Sequence, residues 1–231
     1  MPSSVSHSSS SSQLSLARSL FNMTWPLLFG VLALMSYQLV DAAWIAILGV
    51  QELAALGFTL PVIQLLTGIQ IGLGIATTAI ISPSLGAGKQ QLARQQGAII
   101  LLVGATGLAS LYCLAWLLQT PILNFFGAEA ELRPLIASYW LPALLSSWLG
   151  AVVYLGYSQH RAYGDAKFTG LVMVIVSLLN LVLDPLFIFT FKLGLPGAAW
   201  ATLVSFAIGG LLTFTRLVKR QMICFKFASA N

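Results

Sequence analysis

Charged side chains are scarce in this sequence. Lys, Arg, Asp and Glu together make up 7% of its 231 residues, whereas soluble domains contain about 25%. Hydrophobic residues make up 58% of the chain, which is more than a soluble core of this length needs. The composition therefore excludes a soluble domain and predicts an integral membrane protein of the all-α class.

Cysteine and histidine are also scarce, and this excludes several kinds of chemistry. Cys113 lies in an apolar stretch and Cys224 near the C-terminus, so the pair fits neither a disulfide framework nor a metal site. His7 lies in the N-terminal tail, and His160 is interpreted as an interfacial loop residue beside Arg161. Without a nucleophile and a base at suitable spacing we expect no enzyme activity, and no cofactor is implied.

The few charges divide the chain into apolar stretches that are long enough to cross a bilayer. Six transmembrane helices are predicted, near residues 19–47, 54–82, 95–119, 134–157, 168–191 and 196–216. Together they form one six-helix unit over residues 18–220. Eight of the first twelve residues are serine, which predicts a disordered tail over residues 1–17, and residues 221–231 are predicted to form a second tail.

The basic residues predict the orientation of these helices. If the N-terminus is cytoplasmic, the inner segments hold nine Lys or Arg residues and the outer loops only Arg133 and Lys192. This positive-inside bias predicts that both termini are cytoplasmic and that the protein is a multi-pass protein of the inner or plasma membrane, in contact with lipid. The cations are scattered, so the net charge of +5 does not indicate nucleic-acid binding.

Two of the six acidic residues, Asp41 and Asp184, fall inside predicted spans. A carboxylate at such depth costs about 2.5–3.5 kcal/mol on insertion scales and by default marks an ion or substrate path. Asn180 lies four residues before Asp184, on the same helical face, and Pro185 is expected to bend the helix there. Tyr37 and Gln38 make the face of Asp41 polar as well.

Two acids in one dry bundle could take up and release a proton near neutral pH. They could instead bind sodium, with amide and hydroxyl oxygens completing its shell; beyond this Na⁺, no metal site is predicted. Proline inside other spans suggests further bends, at Pro26, Pro61 and Pro142. Two rows of small residues mark places where helices could pack closely: Gly68 and Gly72, and Gly197, Ala201 and Ser205.

Several runs of residues resemble one family of membrane transporters. These are Gly156 to Lys167, Asn180 to Phe189, and Gly197 to Thr202, together with Val40-Asp41, Leu48-Gly49, Ala54-Ala55 and Leu85 to Gly88. In combination they resemble the multidrug and toxic compound extrusion (MATE) family over roughly residues 18–220. The branch that is most similar is the DNA-damage-inducible protein F type, whose motif residues fall at Pro26, Asp41, Asn180, Asp184 and Thr202.

The resemblance implies a secondary active antiporter that couples the entry of H⁺ or Na⁺ to the export of cationic or amphipathic compounds. It implies that Asp41, Asn180, Asp184 and Thr202 bind the coupling ion, and that the first span bends at Pro26 as a drug-like substrate is released. Pro185 is a second candidate hinge.

The sequence departs from the family in length. Family members carry about twelve spans in two similar lobes, whereas this sequence contains six, so it resembles the N-terminal lobe. The alternatives are a truncated product or fragment, a half-transporter that dimerises, and one chain of a split pair. Alternating access would need a second six-helix lobe in each case. A flippase for lipid-linked oligosaccharides and a non-transporting membrane partner also stay open. A flippase would need Lys or Arg in its cavity to hold phosphates, and the predicted spans contain none.

Overall fold

A computed structural model describes the backbone of residues 6–224 and the side chains of residues 21 and 24–224. Within that range the chain forms seven α-helices: α1 (Ser6–Leu48), α2 (Val50–Gly86), α3 (Gln90–Leu117), α4 (Gln119–Phe125), α5 (Arg133–Ala162), α6 (Ala166–Pro185) and α7 (Leu195–Lys219). A π-helical turn, Leu186–Thr190, continues α6. Six of these helices are long and apolar enough to span a membrane. The six-helix, all-α prediction is therefore confirmed.

The boundaries differ from the predicted ones in two places. The short helix α4 was not predicted, because its sequence contains Pro121 and follows an apolar run without a charge to separate them. The first helix begins at Ser6, within the segment whose serine content predicts disorder, because a helix already nucleated in the apolar span can be extended at little cost. Residues 1–5 and 225–231 of the two predicted tails lie outside the described residues.

Helix α5 is the centre of the bundle. It packs against α2, α3 and α7, and it contributes the largest group of buried side chains. Trp140 is 2% exposed and donates its indole N–H to the carbonyl of Ala115 at 3.3 Å. This contact shows how the bundle satisfies a polar group in a region without water.

Helix α1 is held mainly by α6. A Cβ atom at Gly170 of α6 would collide with the carbonyl group of Pro26, and one at Gly30 would lie 3.0 Å from Gly170 Cα and from Met173. The two backbones therefore touch directly at the proline, and only glycine at position 170 permits this approach. Asp41 follows Pro26 by 15 residues and Asp184 follows Gly170 by 14, so two parallel helices crossing here bring the acids to a similar level.

The two rows of small residues behave differently. Atoms added at Gly68 and Gly72 of α2 would meet nothing within 4 Å, so this row is not a packing contact within the described chain. Gly197 of α7, in contrast, would place a Cβ atom 2.8 Å from the Phe187 carbonyl oxygen. The expectation of close packing is therefore met at Gly197 and not at Gly68 and Gly72.

The ends of α5, α6 and α7 meet in a polar cluster. Asp165, just before α6, accepts two hydrogen bonds from the guanidinium of Arg216, at 2.7 and 3.1 Å. His160 is fully buried in the last turn of α5, which corrects its interpretation as an interfacial loop residue. Its ring packs on Phe168 with a centroid distance of 4.9 Å, and that contact removes it from the surface.

The segment after α7 is docked on the bundle. Met222 is 5% exposed and its carbonyl accepts a hydrogen bond from the Tyr163 hydroxyl at 3.0 Å. The Cys224 N–H donates to the Arg94 carbonyl at 3.2 Å. Residues 221–224 of the predicted C-terminal tail are therefore part of the folded unit, because Met222 joins its apolar core.

Replacing Gly170 by alanine should destabilise the bundle, because the new methyl group meets the backbone of Pro26. We expect Gly170→Ala to lower the free energy of unfolding by about 1–3 kcal/mol, measured by titration with a denaturing detergent and circular dichroism. Gly72→Ala is the matched control, since open space surrounds it and alanine favours helix. Equal effects of the two substitutions would contradict the direct crossing of α1 and α6.

Candidate functional site

The predicted polar face of α6 is buried. Asn180 is 1% exposed and Asp184 is fully buried, and the π-helical turn begins two residues later, after Pro185. The proline removes a backbone N–H, which permits the wider turn. Gly197 of α7 lies against this turn at Phe187, so α7 closes over the end of α6.

Asn180 and Thr202 are joined directly. The Asn180 amide nitrogen donates to the Thr202 hydroxyl at 3.0 Å, and the hydroxyl donates to the Ala198 carbonyl at 3.0 Å. These bonds fix the amide so that its oxygen, Oδ1, is left without a hydrogen-bond partner. Two of the predicted site residues, one on α6 and one on α7, are thus in contact.

The two spanning acids lie close enough to interact electrostatically. Asp184 is fully buried and Asp41 is half-buried. Both carboxylate oxygens of Asp184, and Oδ1 of Asp41, are buried without a hydrogen-bond partner. None of the ion pairs among the described side chains involves either acid, so the structure shows no structural salt bridge that would explain them.

Two tyrosines lie near the acids. They are Tyr37, half-buried on α1, and Tyr139, 5% exposed on α5. Tyr37 was predicted as an accessory residue, whereas Tyr139 was not, since a single tyrosine in an uncharged span carries no sequence signal. Gln38, the other predicted accessory residue, is exposed on α1. Pro26 lies about four helical turns from Asp41 along α1, at the crossing with Gly170.

The arrangement supplies oxygen atoms and very little positive charge. Four buried acceptor atoms from Asp41, Asn180 and Asp184 lack partners, and buried polar atoms of this kind are normally satisfied by an ion, a proton or ordered water. A small cation or a proton is the species that such a set can hold, because either one neutralises the repulsion between the two carboxylates.

Comparisons with known proteins identify the family of this chain. The sequence profile of the MatE family matches residues 26–186. The chain belongs to the MatE family. This MatE chain is 30% identical over 213 residues to a FAD transporter of Shewanella oneidensis, and 26% identical over 206 residues to the multidrug export protein MepA of Staphylococcus aureus. It also superimposes on the Vibrio cholerae MATE transporter VcmN in its bent form, with a TM-score of 0.92 and 47% identity.

The MatE chain spans about half the length of these relatives. The matches cover 90% and 88% of this chain but 47% and 46% of the FAD transporter and of MepA, and 96% of this chain but 50% of VcmN. The relatives therefore contain a further segment of about the same length outside the region that matches this bundle.

Two aspartates of this MatE chain, Asp184 without a partner and Asp165 paired with Arg216, should respond oppositely to neutralisation. Asp184→Asn removes a buried carboxylate without partners and should stabilise the bundle by about 1–3 kcal/mol in sodium-free buffer at alkaline pH, whereas Asp165→Asn breaks the pair with Arg216 and should destabilise it by a similar amount. Thermal unfolding followed by circular dichroism measures both. If the two variants shift the midpoint temperature of unfolding in the same direction, Asp184 is not an uncompensated charge.

Proposed function

We propose that this chain is one half of a cation-coupled efflux antiporter, in which Asp41 and Asp184 hold the coupling H⁺ or Na⁺ with Asn180 and Thr202 as neutral ligands. The observation that supports this most is the set of buried, unpartnered oxygen atoms shared by α1 and α6. A site that only stabilised the fold would pair its charges. This one keeps them available to an ion that enters and leaves.

Cationic or amphipathic compounds are the proposed substrates. Every Lys and Arg of the spanning helices among residues 24–224 lies within a few residues of a helix end, so the middle of the bundle offers acids and aromatic rings. MepA is named for multidrug export, which agrees with this class. The relative named for FAD carries a phosphate-containing molecule, which a mid-membrane site without Lys or Arg would hold poorly.

A second six-helix unit is proposed to complete the transporter. Alternating access requires two units that rock about a shared site, and the relatives have room for both within one chain. Helix α1 presents apolar side chains such as Met35 and Leu39, which are 64% and 74% exposed. The second unit, whether a covalent half, a second copy or a partner chain, would pack on this side, beside Asp41. Assignment to the DNA-damage-inducible protein F branch is part of the same proposal.

We propose the inner or plasma membrane as the location, with both termini cytoplasmic. The support is the distribution of basic residues, nine against two, because cytoplasmic loops carry the excess of Lys and Arg. In this orientation the cluster of Asp165 and Arg216 lies on the cytoplasmic side, and Asp41 and Asp184 lie toward the outer half of the bundle.

Neutralising Asp184 should abolish ion-coupled efflux. We expect vesicles containing Asp184→Asn to lose the export of a cationic dye that is driven by a proton or sodium gradient, because the coupling ion loses its most buried ligand. Glu131→Gln, in an exposed loop, is the control and should transport normally. Unchanged gradient-driven efflux by Asp184→Asn would rule out the proposed coupling site.

Pro26 is proposed as the hinge of α1, and VcmN, a relative solved in a bent form, is similar over most of this chain. Spin labels at the exposed positions Leu39 and Val182 report the distance between α1 and α6. We expect acidification to change this distance in the parent chain and Pro26→Ala to reduce the change, since alanine restores the helical hydrogen bond. Pro61→Ala, in α2, should leave the response intact; a full response in Pro26→Ala would remove the hinge.

A further inference from the structure

Further buried polar side chains without a hydrogen-bond partner lie between the two acids and the end of the bundle that contains Asp165. Ser177, Tyr157 and His160 are 5%, 2% and 0% exposed, and each has a polar atom without a hydrogen-bond partner in the described chain. Most serines and threonines of the spanning helices instead donate to a carbonyl of their own helix, as Ser146 does to Ala143 at 3.0 Å. A set of exceptions on neighbouring helices requires a common explanation.

The first part of this series follows α6. Asp184, Asn180 and Ser177 recur at spacings of four and three residues, so they lie on one face of the helix. Asp184 follows Ser177 by seven positions, which corresponds to a rise of about 10 Å. All three side chains are buried, so this face is enclosed by neighbouring helices and does not face lipid.

The next unpartnered polar residue after Ser177 is Tyr157 of α5. A Cβ atom built on Gly209 of α7 would lie 3.5 Å from the Tyr157 hydroxyl and would also meet Val176 and Val172 of α6. The hydroxyl therefore lies where α5, α6 and α7 meet, beside the residue that precedes Ser177.

His160 lies three residues beyond Tyr157, on the same side of α5. Its Nε2 atom is 3.2 Å from the Thr213 carbonyl oxygen, and because a carbonyl can only accept, Nε2 carries the proton in the neutral ring. The other nitrogen, Nδ1, then presents a lone pair. It has no hydrogen-bond partner and lies 3.6 Å from an oxygen of Asp165.

Asp165 connects the series to water. The Asp165 side chain is 13% exposed. It is bound to the guanidinium of Arg216, which is 32% exposed, and its carboxylate lies 3.8 Å from the guanidinium of Arg220. The charged groups that act on His160 are these three. A histidine with a free Nδ1 lone pair beside a water-exposed carboxylate is well placed to receive a proton and to return it.

We propose that Ser177, Tyr157 and His160 line a narrow hydrated path along which protons move between the Asp165 end of the bundle and the face of α6 that carries Asn180. Each transfer is balanced. His160 Nδ1 takes up one proton and releases one from the same atom, and each hydroxyl group accepts a proton as it donates its own. Waters bound to the unpartnered atoms bridge the gaps. The path rests on the proposed function, to which it adds a route from one side of the membrane.

Water access to Ser177 tests the path without any need for transport. A thiol at this position, Ser177→Cys, can be followed by infrared spectroscopy as its S–H stretch converts to S–D in heavy water, in a background of Cys113→Ala and Cys224→Ala. Ser146→Cys is the matched control, because Ser146 is 4% exposed and its hydroxyl is satisfied within α5. We expect exchange at position 177 to be faster by about tenfold or more, since position 146 must await local opening.

The direction of access is tested by changing the far end of the path. His160→Phe fills the position with an apolar ring and Tyr157→Phe removes only the hydroxyl, so both should slow exchange of the thiol at position 177 by about tenfold. Tyr112→Phe is the control, because Tyr112 is a buried tyrosine of α3 whose hydroxyl also lacks a partner. Exchange at position 177 as slow as at 146, or unaffected by His160→Phe and Tyr157→Phe, or slowed equally by Tyr112→Phe, would overturn the path.

These outcomes are separable from the fate of the proposed function. If the thiol exchanges through the His160 end while Asp184→Asn leaves gradient-driven efflux unchanged, the bundle has a hydrated path and the coupling site is wrong. If Asp184→Asn abolishes efflux while the thiol fails to exchange, the coupling site stands and protons reach it by another route.

Discussion

A buried carboxylate without a counter-charge is the constraint on which the rest of this structure depends. Asp184 is fully buried, and no ion pair within the described chain involves it. Such a group is expensive in a bilayer, so its surroundings must supply what water would. Asn180, the second acid on α1 and two tyrosines lie nearby, but neither carboxylate oxygen of Asp184 has a hydrogen-bond partner, and the Asn180 amide oxygen is unpartnered as well. In the proposed function, a mobile cation or proton compensates this charge.

The packing of α1 determines whether Asp41 can act together with Asp184. Because α1 touches α6 backbone to backbone at Pro26 and Gly170, its level along α6 is fixed by a contact about 22 Å from the acids. Toward its outer end α1 also packs on the bundle, since Ile45 is fully buried and the Trp44 ring contacts Phe189. A bend at Pro26 would therefore have to move this outer contact as well as Asp41.

The sequence was sufficient to locate the six spans and to place two acids within them, because charges are so few that each one marks either a helix end or an unusual position inside a span. It was insufficient where the signal is purely three-dimensional. Tyr139 belongs to the acid cluster and His160 is buried beside Phe168, yet neither differs by spacing from an ordinary interfacial residue. Gly68 and Gly72 have the spacing of a helix-packing motif, but no neighbouring helix contacts them within the described chain. Spacing alone does not show which face of a helix has a neighbour.

The central claim is that Asp41 and Asp184 hold one cation or proton between them. A double-mutant cycle tests it most directly: the free energy of cation or proton binding is measured by calorimetry for the parent chain, Asp41→Asn, Asp184→Asn and the double variant. Shared binding predicts that the second neutralisation costs little once the first is made. Fully additive losses would show that the two carboxylates bind independently, and would contradict the account.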